Sequence, residues 1–135
     1  MDNSKTIDNA AESKLTMTLQ GKEGAIGIRK NTVKALGCPR YICLRISKKG
    51  DSLLIRPCES IDVMSYEMPE DFLKSHHVNF RIHSQMFVQT LLKNHSLNKD
   101  QTYILDGMLL KNNSAAVFSL LSAHPFNSAE VNEDS

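Results

Sequence analysis

The sequence predicts a mainly β fold with short helices, and three observations support this prediction. Several stretches, such as 15–20 and 41–46, alternate apolar and polar residues with the period of two that a half-buried strand requires. Turn signals built on glycine separate these stretches at short intervals. The helical patterns are short and are bounded by a capping residue or by glycine.

Length and composition bound the remaining possibilities. The chain has 135 residues, 41% of them apolar, which suits one domain or two small units that share a core. No apolar run approaches the length that spans a membrane, and the polar N-terminus is unlike a signal peptide. The three cysteines are odd in number and fit reduced thiols. These features predict a cytoplasmic protein with no membrane partner.

The sequence of residues 14–57 predicts a ββαββ unit. Its elements, in order, are strands at 15–20 and 25–28 around a turn at 21–24, a short helix, and strands at 41–46 and 52–56 around a turn at 48–51. Asn31 is the predicted N-cap of the helix, and Gly37 fits the position just after its end, where glycine adopts positive φ cheaply. Such a short helix depends on packing against the strands.

The second half predicts a similar order of elements. Residues 58–78 form an acidic strand (61–66) and a polar connector, and 79–122 form a second unit with a strand at 79–83, a helix at 85–94 capped by Ser84, and strands at 102–105 and 115–121. Asp106-Gly107 predicts a tight turn, and 108–110 either start the returning strand or lie in a loop. Residues 1–13 and 123–135 are predicted as disordered tails, the second of them acidic.

The small net charge of +1 hides a gradient along the chain. Residues 14–57 contain ten lysines and arginines but two acids, a net charge of +8, whereas 58–77 carry −4 and 123–135 carry −3. Such asymmetry indicates a half that binds a polyanion beside an acidic half. A solvated basic surface is the alternative explanation.

The first half resembles the AbrB/MazE-like swapped-hairpin family of DNA-binding domains (SpoVT-AbrB type). The shared pattern is G-A-I-G-I-R-K at 24–30, A-L-G at 35–37, G-D at 50–51 and L-I-R-P at 54–57. The resemblance implies a barrel in which two ββαββ units interlock their hairpins, here as two units in one chain. It also implies DNA contacts from the strands and around the short helix. The chain departs from the family pattern at Ala25, Arg29 and Val33.

Five basic residues are the predicted DNA-binding site: Arg29, Lys30, Lys34, Arg40 and Arg45. Guanidinium and ammonium groups near the start of a helix suit phosphate oxygens, and each such contact makes binding more sensitive to salt. The same residues could instead answer the acidic connector, 67–71, of this chain.

Other chemistry has little support in the sequence. No phosphate-binding loop, nucleophile elbow or zinc-ligand spacing is present, so no catalytic residue, metal site or cofactor is predicted. Cys43 is interpreted as a small structural thiol. An enzyme is the least favoured class.

The sequence therefore favours a bacterial-type transcriptional regulator that binds duplex DNA through its basic N-terminal half. The alternative is a protein-interaction module, antitoxin-like or accessory to a mobile element, that acts through its acidic tail or its barrel surface. A homodimer and a pseudo-dimer within one chain both remain open, as does a protein partner.

Overall fold

The computed structural model describes residues 14–60, 64–74, 79–110 and 114–126. Its elements in chain order are β1 (Lys14–Gln20), β2 (Ala25–Arg29), α1 (Lys30–Ala35), β3 (Tyr41–Ile46), β4 (Ser52–Pro57), β5 (Ser65–Glu67), the 3-10 turn η1 (Phe72–Lys74), β6 (Asn79–His83), α2 (Gln85–Asn94), β7 (Thr102–Leu109), β8 (Ala116–Ser119), the 3-10 turn η2 (Leu120–Ser122) and β9 (His124–Pro125). The prediction of a mainly β fold with short helices is confirmed. None of the helices in the described ranges has the length and apolarity needed to span a lipid bilayer.

The strands form one antiparallel sheet that curls into a nearly closed barrel. Their order is β5-β3-β4-β8-β7-β1-β2-β6, and β9 pairs with the part of β7 that β8 leaves uncovered. Each hairpin of the first half lies between strands of the second half. The β1–β2 hairpin has β7 and β6 as its outer neighbours, and the β3–β4 hairpin has β5 and β8. The two halves therefore share one sheet and cannot be separated without breaking strand pairs.

The core lies inside the barrel because the apolar residues of each strand recur with period two. Ile26 of β2 pairs with Ile82 of β6 and Ile28 pairs with Phe80, and the three isoleucines are almost fully buried. Helix α2 adds its apolar stripe, Val88, Leu91 and Leu92, as its sequence periodicity predicts. Phe118 of β8 is fully buried.

Helix α1 begins two residues earlier than the capping pattern predicts, at Lys30 rather than at Thr32. It spans Lys30–Ala35, with Arg29 rather than Asn31 at the N-cap position, so the prediction for Asn31 is wrong. Strand β2 continues through Arg29 in extended conformation and leads straight into the first turn. The glycine prediction at the other end is confirmed, since Gly37 has a φ of 88° and its N–H donates to the carbonyl of Lys34 over 3.0 Å.

The Asp106-Gly107 pair does not form a turn, so this prediction is wrong. Strand β7 runs through both residues to Leu109 and pairs Gly107 with Phe118 of β8. A Cβ at position 107 would overlap the ring of Phe118 and the carbonyl of Val117. Glycine is needed here for close approach between strands, which explains a signal that otherwise indicates a hairpin.

The remaining differences concern segment ends. Strand β8 covers Ala116–Ser119, so the prediction of a strand at 115–121 is wrong for 120–121, which lie in η2. Strand β5 covers Ser65–Glu67, later than the predicted strand at 61–66, of which 61–63 lie outside the described residues. His124 and Pro125 pair with β7, so the prediction of disorder is wrong for 123–126. The predicted tails at 1–13 and 127–135 lie outside the described residues.

Candidate nucleic-acid interface

The five predicted DNA contacts fall into two groups on the barrel. Arg29, Lys30 and Lys34 lie together where β2 leads into α1. Arg40 precedes β3 and Arg45 lies on it. Strand β3 is flanked by β5 and β4, and neither of these pairs with β2. Arg45 therefore stands on a different part of the sheet from Arg29, whereas Arg40 lies near α1, because it lines one surface pocket together with Val33.

The packing of α1 decides which of its lysines faces solvent. Val33 and Leu36 are buried and hold this six-residue helix against the barrel, as their spacing predicts. Lys34 lies in the last turn and is exposed, where a cation also interacts favourably with the helix dipole. Lys30 is half-buried, and its Nζ lies 5.6 Å from the centre of the Phe72 ring, within cation–π range.

The pairing of β2 with β6 adds a basic residue that the sequence reasoning missed. Gly27 pairs with Arg81, and Arg29 pairs with Asn79, so Arg29 and Arg81 are diagonal neighbours. Both alternate with the buried isoleucines of their strands and therefore point away from the core. Diagonal positions on one face of an antiparallel pair are about 7 to 8 Å apart, within reach of two long side chains. His83, which is exposed, pairs with Ala25 on the same face.

We call Arg29, Arg81 and His83, together with Lys34 on the adjoining helix α1, the β2–β6 surface. It draws basic residues from both halves of the chain. The alternation of Phe80 and Ile82 with Arg81 was a signal that Arg81 points outward. Its closeness to Arg29 depends on strand register, which the sequence does not show.

Arg40 is occupied by an acidic residue of the connector. Its Nη2 lies 3.2 Å from Oε2 of Glu67, and its Nε donates to the same oxygen over 3.3 Å. The hydrogen bond to Glu67, followed by the charges of Tyr41 and Glu67, raises the pKa of the Arg40 guanidinium. The neighbouring backbone is tied as well, because the N–H of Met68 donates to the Arg40 carbonyl over 2.7 Å. At Arg40, the structure therefore realises the alternative in which a basic residue answers the acidic connector.

Arg45 lies on the outer face of the β3–β4 hairpin. It pairs with Leu54 and is a diagonal neighbour of Arg56, which pairs with Cys43. Arg45 is exposed, and Arg56 is half-buried and donates to the carbonyl of Pro57 over 3.3 Å. Together with the exposed lysines at the hairpin turn, Lys48 and Lys49, these arginines form a second basic group. The ten basic residues of the first half are thus spread over several parts of the barrel.

Cys43 and His95 have structural surroundings rather than those of a binding site. Cys43 is 1% exposed, as expected of a structural thiol. His95 contacts the carbonyl of Gly50 through Nε2 over 2.8 Å and thereby connects α2 to the turn of the β3–β4 hairpin. Within the described ranges, no three His, Cys, Asp or Glu residues are grouped so that they could hold a metal ion. His76 and His77 lie outside those ranges.

Comparison of the chain with models of protein families, with curated proteins and with solved structures found no match.

Proposed function

We propose that this protein binds duplex DNA through the β2–β6 surface and acts as a transcriptional regulator. The observation that carries the proposal is the diagonal pair of outward-pointing arginines, Arg29 and Arg81. They come from different halves of the chain, and Lys34 of α1 follows Arg29 closely in sequence. Clustered guanidinium and ammonium groups on a rigid sheet can neutralise phosphates along one stretch of backbone.

The proposal includes the swapped-hairpin arrangement, with two ββαββ units in one chain. Its support is the strand order, in which both first-half hairpins have second-half strands as outer neighbours. The pairs β2–β6 and β4–β8 each join strands at corresponding places in the two halves. An approximate two-fold axis through Gly27 and Arg81 would exchange the halves and would lie within the β2–β6 surface. Such an axis suits the approximate symmetry of a DNA duplex.

Arg40 is left out of the proposed surface. A phosphate would have to displace the Glu67 carboxylate, which already accepts from two nitrogens of the Arg40 guanidinium. Arg45 belongs to the second basic group, on the β3–β4 hairpin, and serves as the competing assignment.

The test compares two triple variants that each remove three positive charges. Arg29→Ala, Lys34→Ala and Arg81→Ala are combined in the first, and Arg45→Ala, Lys48→Ala and Lys49→Ala in the second. Fluorescence anisotropy with a labelled duplex measures the affinity of each between 50 and 200 mM salt. The slope of log K against log salt should fall by about 0.9 for each phosphate that the first variant no longer neutralises. The hairpin variant should keep the wild-type slope.

Two results would contradict this assignment. Equal weakening in both variants would indicate a non-specific charge effect, and weakening confined to the hairpin variant would move the DNA site to β3–β4. Absence of binding by the wild-type protein at 50 mM salt would refute DNA binding itself. Circular dichroism melting curves verify that both variants are folded.

A second candidate function, protein interaction through the barrel surface, is favoured by one further observation. The described residues include two large apolar side chains that project from β7 and its end into solvent, Met108 and Leu110. The residues around Met108 and Leu110 determine which kind of partner this surface can bind.

A further inference from the structure

One row of residues crosses the outer face of the barrel from β3 to β1. Consecutive pairs across the strands join, in order, Arg45, Leu54, Val117, Met108 and Lys14. The row has a cation at each end and three apolar side chains between them. With neighbouring strands about 4.8 Å apart, the path along the curved outer face from one end of the row to the other is about 19 Å.

The apolar centre of this row is open to solvent. Met108 is 58% exposed and Leu110, one step further along the chain on the same face, is 41% exposed. A shallow groove of about 540 Å³ runs beside them and is lined by Val117 and Lys14 among others. We call Leu54, Met108, Leu110 and Val117, with the flanking Lys14 and Arg45, the Met108 surface. Contiguous exposed apolar residues with a polar rim are typical of interaction sites.

The backbone explains why this apolar face exists. Because β7 runs on past Gly107, its residues alternate between core and solvent up to Leu110. Leu109 packs against the core, so Met108 and Leu110 must face outward. The adjacent strand β8 contributes Val117 to the same side. The side chains are therefore held on rigid, paired strands rather than on a loop.

The charges at the rim favour an acidic partner. Lys14 and Arg45 are exposed at the two ends of the row, and Arg56 lies diagonally beside Arg45. Asp106 is the acidic residue of the groove lining. A second copy docked through the same surface would bring another set of these cations against the first, which disfavours self-association. A nucleic acid would leave the apolar centre without a matching surface, because its interfaces are mostly polar.

We infer that the Met108 surface binds an acidic segment of a partner protein. Apolar side chains of that segment cover Met108, Leu110 and Val117, and its carboxylates meet Lys14 and Arg45. An extended segment of about six residues, bent to follow the curve of the barrel, has the length of the row. Methionine adapts its shape to different apolar partners, and arginine is among the residues that contribute most to protein interfaces. The inference does not depend on DNA binding.

The test is a selection from a random peptide library displayed on phage, with the full-length wild-type protein as bait. Peptides retained by the Met108→Asp variant are removed by counter-selection. The enriched peptides should carry net negative charge and apolar residues between their acids. Synthetic copies should bind the wild-type protein about tenfold more tightly than they bind Met108→Asp or Arg45→Glu, which corresponds to about 1.4 kcal/mol.

Met86→Asp is the matched control, because Met86 is also exposed, at 83%, but lies on α2. It should bind the selected peptides as the wild type does. Enrichment of neutral or basic peptides, no enrichment, or equal binding to both methionine variants would overturn the inference. Wild-type self-association in sedimentation that Met108→Asp abolishes would assign the surface to a second copy instead. A loss of duplex binding in Met108→Asp but not in Met86→Asp would assign it to DNA.

Discussion

Arg40 and Glu67 form an ion pair that joins the basic half of the chain to its acidic connector, with Nη2 and Oε2 3.2 Å apart. The pair spans the pairing of β3 with β5, where Tyr41 lies opposite Glu67. Both side chains are largely exposed, at 71% and 53%, so the pair contributes little to stability. Its main effect is that Glu67 compensates the charge of Arg40, which is then less available to other ligands such as phosphate.

Glu67→Gln should strengthen binding to a DNA duplex. The change leaves Arg40 with an uncompensated charge, which we expect to increase affinity about two- to threefold at low salt and to have no effect at high salt. Anisotropy titrations measure this. Glu23→Gln removes one negative charge in the β1–β2 turn and is the control for net charge. Equal increases in affinity for both variants would assign the effect to the net charge of the protein rather than to Arg40.

Arg81→Ala should weaken DNA binding on its own, although Arg81 lies outside the basic half. Leaving one phosphate without its cation lowers the slope of log K against log salt by about 0.9. Arg81→Lys should restore most of that slope, because a lysine still neutralises a phosphate. The same titrations measure both variants. A wild-type slope for Arg81→Ala would exclude Arg81 from the contact surface.

The first half should not fold alone as a monomer. Its two hairpins have no neighbours from their own half across their outer edges, since those places belong to β5, β6, β7 and β8. A fragment of residues 1–60 should lack a cooperative thermal transition by circular dichroism, and mixing it with residues 61–135 should restore one. A fragment that melts cooperatively by circular dichroism and sediments as a monomer would contradict a barrel that needs strands from both halves.

Gly107→Ala should destabilise the protein by about 1 to 3 kcal/mol, because the added Cβ overpacks against Phe118 and Val117. Gly50→Ala is a useful contrast, because Gly50 has open space around it and a φ of 78°. Its cost should be about 1 kcal/mol from backbone strain, and Gly50→Asn should recover part of that. Urea denaturation measures all three. Unchanged stability of Gly107→Ala would mean that β7 and β8 separate more easily than their register implies.

His95→Ala should destabilise the protein by about 1 kcal/mol by removing the contact with the carbonyl of Gly50. His95 is half-buried, so we expect water to replace that contact only in part. His83→Ala, at an exposed position, is the control and should leave the urea midpoint unchanged. Equal destabilisation by both variants would show that the Gly50 contact has no special role.

Much of the local structure could be predicted from sequence. Alternation identified β3 within its observed ends, Tyr41–Ile46, and helical periodicity identified α2, Gln85–Asn94. These signals succeed because burial of one face acts on residues close in sequence. The Asp106-Gly107 prediction failed because a glycine needed for contact with Phe118 looks the same in sequence as one needed for a turn.

The candidate sites were less accessible to sequence reasoning. Charge counting identified a basic half and predicted Arg29, Lys34 and Arg40 as DNA contacts, but it could not show that Arg40 pairs with Glu67, 27 residues away. Charge counting did not select Arg81, because a single arginine in strand β6 does not make its segment basic. Neither the Arg29–Arg81 neighbourhood nor the row from Lys14 to Arg45 involves residues close in sequence.

By itself, the sequence determined the β-rich class, the order of the elements from β1 to β8 and the separation of charge, because all three depend on local patterns. Only the tertiary structure decided which hairpin lies beside which strand, and with it which side chains share a face. The physical reason is register: strand pairing is set by hydrogen bonds and core packing between distant segments, and a slip of one residue reverses every side chain. The candidate DNA contacts and the exposed Met108 both follow from that register.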